Sequence, residues 1–143
     1  MSIQVLGVLS PTHLQLPLYS FRVPAGFPSP AQDHIERRLS LDDLLSIDAP
    51  HTYIVRVAGD SMIGIGIHEG DMLVVDRSLP AKHGDVVVAA LNGEPLVKRL
   101  GKVDGCVALL SENPAYGPKV VQEGDQLEVW GVVSCCLRML HQR

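Results

Sequence analysis

From residue 52 onward the chain consists of short runs rich in Val, Ile and Leu, at 52–58, 72–76, 86–91, 95–100, 107–111 and 127–137. This pattern restricts the possible folds more than any other feature. Each run suits a strand, and Gly-Asp pairs at Gly70-Asp71, Gly84-Asp85 and Gly124-Asp125 mark turns just before three of them. Asn92-Gly93 between two runs is a two-residue hairpin signal, because both central positions of that turn need positive φ. The expected fold is mainly β: a compact domain of mostly antiparallel strands over residues 51–143, with one or two short helices.

The first third reads differently. Pro11, Pro17, Pro24, Pro28 and Pro30 are half of the ten prolines in the chain. Proline removes a backbone donor and pushes its predecessor toward extended geometry. Residues 1–29 are therefore expected to form an extended arm, and residues 30–50 a short helical connector. In the connector, Ser29, Pro30 and Gln32 provide a cap, a first-turn proline and a capping-box partner for a helix reaching about Leu39. Ser40 followed by Asp42 and Asp43 starts a second helix that ends near Ser46.

Charge and cysteine usage exclude several functions. Lys plus Arg number 12 against 16 Asp plus Glu, a formal charge of −4, so no basic surplus is available to neutralise phosphates and direct DNA binding is not expected. Cys106, Cys135 and Cys136 are odd in number and two are adjacent, which argues against a disulfide framework and for small buried hydrophobes in a reducing compartment. No run reaches the ~18 apolar residues of a membrane span. The first basic residue, Arg22, follows the apolar start, which is not the order of a secretory signal. A cytoplasmic protein with no membrane partner is expected.

Three features could carry chemistry. Gly59-Asp60-Ser61-Met62 follows a strand, and such a turn can present a hydroxyl while aiming consecutive backbone N–H groups at one point, as an acyl-transfer oxyanion requires. Turn chemistry alone also explains a serine after Gly-Asp. Lys98 shares one strand face with Leu96 and Leu100. An ordinary lysine, with pKa ~10.4, is neutral in roughly one molecule in 2,500 at pH 7. Desolvation on an apolar face lowers that pKa, and a neutral lysine can deprotonate a serine; a lysine snorkelling to water is the plainer reading. Third, Ala25-Gly26 lies in the extended arm, where two small residues flank a bond ready to be taken as a strand; a Pro-rich linker is the plainer reading. The six histidines form no motif with a serine, Gly-x-Ser-x-Gly is absent, and no Cys-x-x-Cys or His-Glu-x-x-His suggests a metal, so no metal or cofactor is expected.

Taken together, Ala25-Gly26, Gly59-Asp60-Ser61-Met62 and Val97-Lys98 resemble the LexA/UmuD family of self-cleaving serine-lysine peptidases (S24). Further likeness lies in residues 26–30, 71–76, 83–85, 113–116 and 129–133, which resemble the UmuD-type branch of the SOS mutagenesis response. Only 25 residues precede the Ala25-Gly26 bond, too few and too proline-rich for the helix-turn-helix of the repressor branch. The resemblance implies Ser61 as nucleophile, Lys98 as general base, backbone N–H groups of Asp60 and Ser61 as oxyanion hole, and Ala25-Gly26 as the bond cut. It also implies promotion by the RecA filament on single-stranded DNA, and a shortened homodimer that joins a UmuC-type Y-family DNA polymerase in translesion synthesis. Two rival readings are a non-catalytic interaction module of the same fold and a signal-peptidase-like enzyme.

Overall fold

The structure is a computed structural model that describes residues 2–8, 15–19, 35–47 and 50–141. Ten strands run in chain order: β1 Ser2–Val8, β2 Gln15–Tyr19, β3 Ile35–Ser40, β4 Thr52–Ala58, β5 Met72–Asp76, β6 Val86–Leu91, β7 Glu94–Val103, β8 Cys106–Leu110, β9 Lys119–Val120 and β10 Leu127–Leu137. Eight form one antiparallel sheet in the order β1-β4-β5-β10-β6-β7-β8-β9, and β2 pairs with β3 separately. The fold is mainly β, as the run pattern indicates.

Three turns repeat one piece of chemistry. In His68-Glu69-Gly70-Asp71, Lys82-His83-Gly84-Asp85 and Gln122-Glu123-Gly124-Asp125, the aspartate amide donates to the carbonyl three residues earlier, at 3.0 Å each time. Its carboxylate accepts that same residue's N–H, at 2.8, 2.8 and 2.9 Å. The glycine between them sits at φ 87°, 94° and 92°, a region where side chains are strained. The hairpin between β6 and β7 turns at Asn92 and Gly93, both at positive φ, as expected.

β10 is the bent spine of the sheet. Its first half pairs with β6 and its second half with β5, with register shifts between Val129 and Gly131 and between Val133 and Cys135. Such bulges bend a strand and increase its twist. At the bend a Cβ on Gly131 would lie 2.6 Å from Val75 Cγ1, so only glycine fits there without repacking. The curled sheet encloses Val55, Val57, Met62, Ile67, Leu73, Val75, Val88 and Val97 in one core cluster, with Ile3 of β1 packed against it. Each such side chain contributes about 1.5–3 kcal/mol by leaving water.

Several expectations are corrected. Residues 2–8, read as part of an arm, form β1 and pair with β4. Residues 35–40, read as the end of a helix, form β3; pairing with β2 overrides the local helix preference of Glu-Arg-Arg. The second helix exists but is one turn, α1 Leu41–Leu44, with Ser40 Oγ accepting from the Asp43 amide at 3.1 Å. The helix start at Ser29, Pro30 and Gln32 lies outside the described residues. Burial of the cysteines is also corrected: Cys106 and Cys136 are exposed and Cys135 half-buried, all three free. Val107 beside Cys106 is exposed too, and since neighbours on a strand point to opposite faces, neither face of this end of β8 is covered.

Near the end of β10, Arg138 grips the buried Asp71. Its Nε and Nη2 donate to the two carboxylate oxygens at 2.8 and 2.7 Å. The Arg138 guanidinium, with help from the His68 amide, holds the Asp71 carboxyl well below the usual carboxylate range, although burial opposes this. Although Cys136 is exposed as a residue, partial desolvation of its sulfur, reinforced by the hydrogen bond to Asp71, pushes the thiol up to about 11, so it stays protonated at neutral pH. Among the described residues no helix is long and apolar enough to cross a membrane.

Candidate active site

Strand β4 ends at Ala58, and Gly59 at φ 92° turns the chain so that Asp60, Ser61 and Met62 follow in a tight loop. Met62 is fully buried in the core and anchors that loop, which continues into a 3₁₀ turn at Ile63–Ile65. The segment after β8 then closes on the loop from the other side. The Glu112 amide donates to the Ser61 carbonyl at 2.8 Å, and the Gly64 amide donates to the Glu112 carbonyl at 2.7 Å. Asn113 Nδ2 donates to the Asp60 carbonyl at 2.9 Å, and the Tyr116 hydroxyl donates to the Asp60 carboxylate. Asp60, Ser61 and Gly64 of one loop are thus tied to Glu112, Asn113 and Tyr116 of the other without a continuous strand pair.

Ser61 is expected on an exposed turn. Instead it is 1% exposed, because the closing segment covers it. Its Oγ is buried without a hydrogen-bond partner among the described residues. A buried hydroxyl left unpaired costs about 1–3 kcal/mol, so its retention calls for an explanation beyond packing.

Lys98 lies on β7, where its neighbours Leu96 and Leu100 pack against Val87, Ala89 and Val132 as the alternation indicates. Its side chain is half-buried, and its amine donates to Ser111 Oγ at 2.8 Å. Nζ also stands 5.6 Å from the centre of the Tyr116 ring. Burial alone lowers the Lys98 pKa from its ordinary value, favouring the neutral amine. On the opposite face Arg99 pairs with Glu112 and donates to the Gly84 carbonyl, bracing the same corner.

Ser61 and Lys98 are therefore held against consecutive residues, Glu112 and Ser111, but they do not hydrogen-bond to each other. Ala25 and Gly26 lie outside the described residues. Sequence reasoning missed Gly64, Ser111, Glu112 and the Asp60 contacts of Asn113 and Tyr116. The register of the β7–β8 hairpin, turning at Asp104-Gly105, could have found Ser111. Among the described residues no group of His, Cys, Asp and Glu could hold a metal ion.

A buried serine hydroxyl and a half-buried lysine amine thus stand on neighbouring supports, the Glu112 amide and the Ser111 hydroxyl. The sequence profile of the family described as peptidase S24-like matches residues 17–134. Protein SamA of Salmonella typhimurium is 43% identical over 124 residues, 87% of this chain and 86% of SamA. Protein MucA of Escherichia coli is 41% identical over 121 residues, 83% of this chain and 82% of MucA. The LexA repressor of Bordetella pertussis is 42% identical over 125 residues, but those cover 57% of the repressor. The chain belongs to the S24 family of serine peptidases and is a UmuD-type member of it.

Proposed function

We propose that the chain cleaves itself once, between Ala25 and Gly26, with Ser61 as nucleophile and Lys98 as general base. The observation that carries this reading is the buried, unpartnered hydroxyl of Ser61 beside the corner that holds a half-buried amine. Neutral Lys98 takes the Ser61 hydroxyl proton as Oγ attacks the Ala25 carbonyl carbon. Backbone N–H groups of Asp60 and Ser61 stabilise the oxyanion. The resulting ammonium returns its proton to the Gly26 nitrogen as the peptide bond breaks, leaving an ester between Ser61 and Ala25. Water, deprotonated by Lys98, hydrolyses the ester and restores Ser61. Hydrogen bonds of this kind tighten in the substrate complex, so the absence of a Ser61–Lys98 bond before substrate binds accords with the mechanism.

In this reading the chain serves the SOS response to DNA damage, in line with its likeness to SamA, MucA and the LexA repressor. The RecA filament on single-stranded DNA promotes cleavage, and the shortened homodimer becomes an accessory subunit of a UmuC-type error-prone polymerase. Intact-mass analysis of purified protein, with and without activated RecA filament, tests the reaction. The expected product begins at Gly26, accumulates faster with RecA and is absent from Ser61→Ala. If only full-length chain persists under both conditions, the alternative of a non-catalytic interaction module takes its place.

A further inference from the structure

The base in this proposed reaction is a long side chain, and four rotatable bonds must be held for its lone pair to meet one hydroxyl. The fold supplies a specific restraint. In the β7–β8 hairpin Arg99 pairs with Leu110, so one step further along the register Lys98 stands opposite Ser111. Opposed residues of an antiparallel pair share a sheet face with Cβ atoms ~5 Å apart, within reach of a direct side-chain contact. The Lys98 amine donates to Ser111 Oγ at 2.8 Å. The next residue, Glu112, holds the Ser61 carbonyl through its backbone amide at 2.8 Å. One dipeptide thus grips the base by a side chain and the nucleophile by its main chain.

We propose that Ser111 is a positioning residue for Lys98: its hydroxyl accepts one amine N–H and so fixes the direction of the nitrogen lone pair toward Ser61. The inference rests on the self-cleavage reading above. A neutral amine has two N–H groups and one lone pair, so anchoring an N–H on Ser111 leaves the lone pair free for the serine proton. The same oxygen accepts more strongly from an ammonium than from an amine, so it also favours the charged form. Ser111 therefore acts in two opposed ways, orienting the base while raising its pKa against the effect of burial. The Tyr116 ring, its hydroxyl bonded to Asp60, stands near the amine; Glu94 and Lys119 line a cleft together with Lys98, and the apolar Val87 of β6 pairs opposite Lys98.

The test is the rate of self-cleavage against pH for the full chain and for Ser111→Ala, Ser111→Thr and Ser111→Val. The last two match in shape and differ in the acceptor oxygen. Ser111→Ala and Ser111→Val are expected to reach a high-pH plateau at least tenfold below the unsubstituted chain, with midpoints shifted to lower pH. Ser111→Thr is expected to stay within about threefold of the unsubstituted plateau. A plateau that is unchanged or higher in the Ala or Val variants overturns the proposal. So does a lowered plateau with no midpoint shift, or Thr behaving like Val. Absence of Ser61-dependent cleavage in the unsubstituted chain is a separate result, which takes down the reaction itself and this inference with it.

Discussion

The Gly64 amide donates a 2.7 Å hydrogen bond to the Glu112 carbonyl, and a Cβ on residue 64 would lie 2.4 Å from that same oxygen. Only glycine allows the Ser61 loop and the segment after β8 to come this close. Because the obstacle is backbone, a larger residue moves one of the two loops. Gly64→Ala is expected to destabilise the fold by about 2 kcal/mol. It is also expected to slow self-cleavage by about 100-fold, since small displacements of a reacting pair are costly. Denaturant titration and a cleavage time course check the two effects.

Ser61→Ala removes a hydroxyl that is buried without a partner. Deleting such a group removes its desolvation cost, so the variant is expected to be as stable as the unsubstituted chain or more stable by up to about 1 kcal/mol. Cleavage should vanish. A thermal melt that drops by several degrees would show that the hydroxyl has a structural partner.

Asp71 and Arg138 give a pH dependence separate from catalysis. The Asp71 carboxyl is depressed in the folded state, chiefly by the Arg138 guanidinium. Its contribution to stability is therefore full above the unfolded value of ~3.9 and is lost as pH falls from there toward the folded value. Asp71→Asn is expected to cost about 2 kcal/mol at pH 7. It should also remove part of the loss of stability that the unsubstituted chain shows below about pH 4. Thermal melts of both proteins between neutral and acid pH measure the difference, and parallel curves would contradict it.

Much of the sheet was legible because its signals are local. The observed bounds of β4, β5, β6 and β10 coincide with their apolar runs, and the Gly-Asp pairs are the turns that separate them. The first forty residues were less legible for two reasons. Residues 2–8 show no clear alternation and are followed by prolines that argue for an arm, and β3 carries helix-forming residues whose state is decided by pairing with β2. At the site, Ser61 and Lys98 were visible as residue types in short motifs. The supports at Gly64, Ser111 and Glu112 depend on a hairpin register and on one loop closing over another, neither of which a single segment encodes. The burial of Ser61 follows from that closure, and so it was missed as well.

The central claim is that Lys98, whose burial favours the neutral amine, activates Ser61, and the pH dependence of self-cleavage tests it most directly. Below its midpoint the neutral fraction of Lys98 rises tenfold per pH unit. The rate of appearance of the fragment starting at Gly26 is expected to climb with pH and to level off at a midpoint below the ordinary lysine value of 10.5. Lys98→Ala is expected to yield no fragment at any pH. A flat profile in the unsubstituted chain, or comparable cleavage by Lys98→Ala, would contradict the account.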